Sequence, residues 1–328
     1  MSKNTFYIGV DVGQEELWAA VDYKKPKCFQ NNNSGFKKLW TWANNLANTS
    51  ELHFCMESTG VYGYNLARHL YSQENTIVSV INPARISSFS KAQLRRTKTD
   101  RVDALVILDF AKAQNPPAWA PEPPALRTLY HLVVQLDNLK SSKRQWLNRF
   151  HSNSHLPDVP PEVVKSQKSL LKVLEKQICS IKAEIERLCN ESEYIKNQVD
   201  IICSMNGLGQ LSAVRLLAYG KSALTSLKQK SLIAHAGLAP SERQSGKSIK
   251  GKSHIAKQGD HRLRKSLYMP ALVAIQHNPI IKQFYKRLLD KGKPKMLAIV
   301  ACMKKILTII RSMLITQKTF DPNFNTLT

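Results

Sequence analysis

No C-x-x-C pair occurs among the six cysteines, Cys28, Cys55, Cys179, Cys189, Cys203 and Cys302. Their scatter offers neither the paired spacing of a zinc site nor a disulfide framework, so the thiols are expected to stay reduced and to pack as small apolar groups. Long apolar runs are missing as well. The longest, Met296 to Met303, falls far short of a membrane span. No basic leader with an apolar stretch and a small-residue cleavage site opens the sequence, which predicts a cytoplasmic protein with no membrane partner. The third shortage is of acids: 24 Asp and Glu face 48 Lys and Arg in 328 residues, a net charge of +24. The deficit is local. Residues 1–60 carry six side chains of each sign, whereas from Lys221 onward 21 Lys and Arg face four acids. With no amphipathic anchor at either terminus, that field points to a nucleic acid rather than a lipid surface, and predicts binding that weakens steeply with salt.

What is present is enough for two or three domains with real cores, since 43% of the residues are apolar. TFYIGVDVG (5–13) reads as a buried strand ending in a Gly turn, and ELWAAVDY and KCFQNNN as two more strands of a meander. FKKLWTWANNLAN has helical spacing, LHFCMES (52–58) is a short strand, VYGYNLARHLYSQ is an amphipathic helix, and TIVSVINP is a strand that stops at Pro83. Helices follow around 86–94 and 100–114. A meander followed by alternating strands and helices implies a mixed sheet covered by helices, an α/β unit. NPPAWAPEPP (115–124) reads as an extended connector. Beyond it the pattern is helical: a stretch over 125–150, a break at HSNSHLPDVPP, then a heptad on Leu171, Leu174, Ile178, Ile181, Ile185 and Leu188, with Ser192 and Ile195 in register. That spacing predicts a coiled-coil or helical-hairpin arm. In IICSMNGLGQLSAVRLLAYG (201–220), Gly207 and Gly209 flank a turn between helices, similar to a helix-hairpin-helix whose backbone amides approach a phosphate; a plain packing turn is the alternative.

The acids of the first half raise the functional question. Asp11 sits inside an apolar strand, where a carboxylate costs several kcal/mol unless a metal, a proton or hydrogen bonds compensate it. Glu57 ends a later strand. Asp100 and Asp103, three apart on a helix, share one face, with Val102, Leu105 and Val106 expected on the opposite, buried face. Four acids on three elements could converge on Mg²⁺, which prefers hard oxygen ligands and can stabilise a phosphoryl displacement. For the last pair alone, the alternative is that Asp100 is a helix N-cap and Asp103 a surface acid. The strand VDVG is also shared with sugar kinases and actin-like ATPases, but Gln14, Glu15 and Glu16 follow it here, and acids repel a triphosphate.

Taken together, YIGVDVG, MESTG (56–60), VINPARISSF (80–89) and RTKTDRVDA (96–104) resemble the N-terminal half of the DEDD insertion-sequence transposases, the IS one-ten family, relatives of the pilin-gene-inverting recombinase. The likeness continues through SMNGLGQLSAVRLLAY, LIAHAGLAP, RQSGKSIKG and KQGDHRLRKSLYMPALVA, nearly the whole chain. It departs at Gln93, where members often have Gly, and at Ser241-Glu242-Arg243-Gln244, where the lead-in is often more basic or aromatic.

The resemblance implies a RuvC-like, ribonuclease H type domain over 1–155 with Asp11, Glu57, Asp100 and Asp103 as a Mg²⁺-binding tetrad. It also implies a coiled-coil arm over 156–198 and a mainly helical transposase domain over 199–328. The Ser-Gly of the family falls on Ser245-Gly246 and makes Ser245 the nucleophile; from the residues alone, Ser248 and Ser253 in the same basic loop are equivalent. The implied chemistry cuts and rejoins DNA through a phosphoserine. Donor and target DNA are chosen by a noncoding bridge RNA, and homodimers pair into a homotetramer. Arg95, Arg96, Lys98 and Arg101 would hold nucleic-acid backbone beside the acids, and Lys247, Lys250, Lys252, Lys257, Arg262, Arg264 and Lys265 would hold it in the C-terminal third. Two rival readings are a junction-resolving endonuclease that uses water instead of serine, and a catalytically silent nucleic-acid-binding protein.

Overall fold

A computed structural model describes residues 5–322 except 23, 49, 59, 94–98, 242–243, 246–248, 251–253 and 257, with the backbone alone at 244, 245, 249, 250 and 254. The chain forms two compact units, Met1–Pro121 and Glu122–Thr328. Their boundary falls in the Pro-rich connector, where Pro residues cannot continue either a ladder or a helix. This division places the helix after the connector with the second unit. The functional modules expected from the resemblance, 1–155, 156–198 and 199–328, partition the chain differently.

In the first unit, β1 (Thr5–Val12), β2 (Glu16–Ala20) and β3 (Lys27–Gln30) form the antiparallel meander. After helix α1 (Asn33–Ala47) comes β4 (Glu51–Glu57), parallel to β1; after α2 (Tyr64–Tyr71) comes β5 (Thr76–Ile81), parallel to β4. The sheet order is β3-β2-β1-β4-β5. Alternation along β1 gives each face its own work. Ile8, Val10 and Val12 join Leu17, Phe29 and Phe54 against Phe36, Leu39, Leu66 and Leu70 of α1 and α2. The other face carries α3 (Pro83–Ala92) and α4 (Asp100–Gln114), whose Val106, Ile107 and Phe110 pack with Cys55 and Ile81, and whose Ala104 and Leu108 pack with Ala20.

The extended connector lies on β5. The Trp119 amide donates to Val78 O (2.6 Å), and Ser79 Oγ donates to the carbonyls of Pro116 and Pro117. The same hydroxyl lies 2.8 Å from Nε2 of buried His53, and burial holds that imidazole below its ordinary pKa, in the neutral form. One edge of the sheet is thereby covered by a segment too rich in Pro to pair further.

The second unit is built around a helical hairpin, α5 (Pro124–Asn153) and α6 (Pro161–Glu191), with Lys143 paired to Glu175 across it. The heptad does face inward: Ile178 and Ile185 are buried, and Ile181 and Leu188 pack half-buried on the same core. The register does not run on unbroken, however. At Ser192 the backbone turns extended, and its hydroxyl caps α7 (Glu193–Cys203) by accepting from the Ile195 amide. Ile195 is buried all the same, because the new helix packs on the same core.

Next come α8 (Gln210–Gly220), α9 (Ala223–Ser226), α10 (Gln229–His235) and four two-residue strands: β6 (Pro240–Ser241), β7 (Gln244–Ser245), β8 (Ile249–Lys250) and β9 (His254–Ile255). β6 pairs with β9 and β7 with β8. Helices α11 (His261–His277), α12 (Pro279–Asp290) and α13 (Lys295–Thr316) complete the unit, and α13 runs through its core on Cys302, Ile306 and Ile310. All six cysteines are free thiols; Cys55, Cys189 and Cys302 are buried, whereas Cys179 is exposed and does not pack as expected. Among the described residues no helix is long and apolar enough to cross a membrane.

Candidate metal and nucleic-acid site

Asp11 projects from the face of β1 that also carries Tyr7 and Gly9, beside Trp18, its cross-strand partner on β2. Glu57 follows directly on the Val10–Met56 pair of the parallel neighbour β4, so it stands level with Asp11 one strand away. The remaining two acids arrive on α4, and a glycine makes that possible. A Cβ on Gly9 would meet Leu108 N at 2.3 Å and Ala104 O at 2.4 Å, so only a bare backbone lets α4 lie directly on β1. The first turn of α4, with Asp100 and Asp103, then comes to the end of the sheet where Asp11 sits.

Two local expectations change here. Thr99, not Asp100, is the N-cap, its hydroxyl accepting from the Val102 amide (3.3 Å). The acids also do not face away from the buried side of the helix. Ala104, Ile107, Leu108 and Ala111 are buried, and Asp100 and Asp103 extend that sheet-facing stripe by one turn; Val102 and Leu105 are only half-buried. Both acids occupy the first turn, where the helix dipole favours negative charge.

Asp11 registers the consequence. Burial raises its pKa from the ordinary 3.8 to about 6, and the fields of Asp103, Asp100 and Glu57 push in the same direction, opposed only by a hydrogen bond from the Val12 amide. The fold therefore brings all four acids into one electrostatic neighbourhood. It does not pack them into a finished cage: among the described residues no three His, Cys, Asp or Glu side chains are grouped tightly enough to hold an ion as they stand. Like charges keep their distance unless a cation screens them, and a set of oxygen donors that raises one member's pKa is chemically suited to a hard divalent ion.

The cations divide into groups. The Arg101 guanidinium stacks on the Trp18 ring, 4.6 Å from its centroid, which holds a positive charge beside the acids. Arg95, Arg96 and Lys98 lie outside the described residues, as do Lys247, Lys252, Lys257, Ser248 and Ser253. Ser245 and Lys250 are placed by backbone on β7 and β8, Ser245 opposite Ile249. Arg262 donates to the Tyr130 hydroxyl (3.2 Å), Arg264 donates to the Ala236 carbonyl (3.2 Å), and Lys265 is exposed. Gly207, at φ +103°, is required for close packing, since its Cβ would lie 2.8 Å from the backbone of Ala274. Gly209 begins α8 with open space around it and no capping side chain. Its exposed neighbours Leu211, Met269 and Val273 are apolar rather than cationic.

Sequence reasoning missed Gly9 and Trp18. Gly9 is visible in YIGVDVG, two residues before the acid and on the same face. Nothing in the sequence links Trp18 to Arg101, 83 positions apart.

Residues 8–159 match the family model of the DEDD transposase of IS110, described as a transposase, and residues 199–286 match that of the transposase IS116/IS110/IS902 family. The pilin gene-inverting protein of Moraxella bovis is 30% identical over 331 aligned residues that cover 98% of each chain, as is the protein of the same name from Moraxella lacunata. An uncharacterized 42 kDa protein of insertion element IS900 from Mycobacterium paratuberculosis is 30% identical over 153 residues, 45% of this chain and 38% of that protein. With its five-stranded mixed sheet and these full-length likenesses, the chain belongs to the IS110 family of DEDD, ribonuclease H-like insertion-sequence transposases.

Proposed function

We propose that this transposase cuts and rejoins DNA strands through a covalent phosphoserine on Ser245, with Asp11, Glu57, Asp100 and Asp103 as its Mg²⁺ ligands and a RuvC-like arrangement of the first domain. A noncoding bridge RNA selects donor and target DNA, and homodimers pairing into a homotetramer, with the α5–α6 hairpin as a coiled-coil arm, provide the setting in which acids and serine reach one phosphodiester. The observation that carries this reading is the raised pKa of Asp11, which requires three further carboxylates around a strand acid in a chain otherwise short of acids.

Ser245 Oγ loses its proton and attacks phosphorus; the P–O3′ bond breaks, O3′ takes up a proton, and a 3′-hydroxyl and a phosphoserine remain. A 3′-hydroxyl of another strand reverses these steps, so one phosphodiester is exchanged for another with no external energy source. When bound, a divalent ion supplies charge stabilisation to the phosphoryl oxygens and to the attacking and leaving oxygens. Arg101, fixed on Trp18, supplies a positive charge that draws the backbone toward acids that would otherwise repel it. Arg95, Arg96 and Lys98 extend that attraction, and the basic C-terminal residues hold the register of the strands.

The test is adduct trapping. Wild type, Ser245→Ala and Asp11→Asn are incubated with element-end DNA, RNA transcribed from the flanking sequence, and Mg²⁺, then denatured. Wild type is expected to yield a protein–DNA adduct and both variants none. Strand cleavage by Ser245→Ala at the wild-type rate would mean that water is the nucleophile. Sequencing RNA that copurifies with the protein tests guidance: a structured transcript from the element is expected, and random cellular RNA alone contradicts it.

A further inference from the structure

We propose that the open edge of the five-stranded sheet is a groove for one nucleic-acid strand continuing from the acidic centre, with Lys27, Lys37 and Lys38 on its phosphates and Phe29 and Trp42 beneath its bases. This rests on the reading that the acidic centre acts on nucleic acid. The two edges of the sheet are treated differently by the fold. The β5 edge is covered by the Pro-rich connector, whereas at β3 the edge and α1 enclose an open groove of about 790 Å³.

Three lysines line that groove and no Asp or Glu does, although the first 60 residues as a whole are balanced in charge. Lysine on an edge strand commonly serves to prevent pairing with another chain. That purpose accounts for Lys27, but Lys37 and Lys38 stand on α1 and guard no ladder. The floor is aromatic: the Phe29 and Trp42 rings lie 5.5 Å apart, and the Lys27 ammonium sits 5.4 Å from the Phe29 ring. Flat apolar surface interleaved with ammonium groups is what a single strand requires, since bases stack without regard to sequence while phosphates take the cations.

The groove is also continuous with the acids. Asp11 pairs with Trp18 and Trp18 with Cys28, so the three stand in a row across neighbouring strands, about 10 Å from end to end at ordinary strand spacing. Cys28 lines the groove, yet the fields of Arg101 and Asp100 reach it. Its thiol is raised first by burial and then by Glu16 beside it. A strand whose phosphate lies at the acids therefore has a path of short length to the lysines. DNA and RNA share this chemistry, and the probes separate them.

The experiment uses the full chain in EDTA, so that no cleavage is needed, with mixed-sequence single strands of about 20 nucleotides carrying 5-iodouracil, as DNA and as RNA. Irradiation is expected to place adducts on Phe29 or Trp42, read by mass spectrometry. Lys27→Gln/Lys37→Gln/Lys38→Gln should lose those adducts and flatten the dependence of log affinity on log salt by about 2, as three single-strand phosphate contacts would. Lys24→Gln/Lys25→Gln, which changes charge on the neighbouring turn outside the groove, should retain both. A stronger yield with RNA assigns the groove to a guide, and with DNA to the substrate. Adducts confined to other segments, adducts that survive the triple substitution, or equal losses in the control pair overturn the groove. If groove adducts form on a protein that never cuts in Mg²⁺, the groove stands and the catalytic reading falls.

Discussion

Asp11 is a carboxylate placed where its charge is disfavoured, and its titration shows how strongly. In the folded chain without a divalent ion it gains its proton near pH 6, against 3.8 in its ordinary state, so between those values the folded form binds more protons than the unfolded one. Stability must then fall as pH rises from about 4 to about 6, and stay lower above. The raw shift would amount to about 3 kcal/mol. Solvent screening of a half-buried group reduces this to ~1 kcal/mol. In EDTA at about pH 7.5, Asp11→Asn should melt about 2–4 °C above wild type, with the gap closing toward pH 4, as scanning calorimetry can follow. Gly9 is the complementary case, a residue whose importance lies in lacking an atom. Gly9→Ala puts a methyl group within 2.4 Å of the α4 backbone and should cost about 3 kcal/mol by denaturant unfolding, because two backbone segments have to separate. Any folded fraction should cleave poorly, since the helix that moves is the one carrying Asp100 and Asp103.

At the scale of elements, most of the architecture was legible because its causes are local. The β1 alternation, the Pro83 stop and the Pro-rich connector each follow from the geometry of a few adjacent residues. The acids were legible as candidates for a related reason: a charged side chain inside YIGVDVG is conspicuous. Their orientation on α4 was not. A helix lying on a bare glycine buries a wide stripe, so the apolar residues Val102 and Leu105 could be half-exposed while the stripe through Ala104 and Leu108 led into the acids. The Trp18–Arg101 stack was equally out of reach, since it joins a strand to a helix through tertiary packing alone. The break at Ser192 escaped for another reason. Heptad spacing persists across it, and a serine in the middle of a helix looks the same in sequence as a serine that ends one helix and caps the next. Ser192→Ala should remove the cap on α7 and cost about 1 kcal/mol in chemical denaturation. If the helix ran on unbroken, the same substitution would be neutral or slightly stabilising.

Over the whole molecule, charge and chemistry are laid out separately. The last third holds the large cationic excess, and the first unit keeps its acids at one end of a sheet with Arg101 among them. That layout fits a protein that grips a polyanion broadly and handles it at one place with a divalent ion. What four acids in one field have to do, if they serve that purpose, is bind a single ionic centre together rather than act as separate surface carboxylates. Titration of the full chain with Mn²⁺, followed by electron paramagnetic resonance, tests this most directly. Wild type is predicted to bind the ion, and Asp11→Asn, Glu57→Gln, Asp100→Asn and Asp103→Asn each to weaken that binding by about tenfold or more. Wild-type affinity in all four variants, or no binding by any of the five proteins, would contradict a shared metal centre.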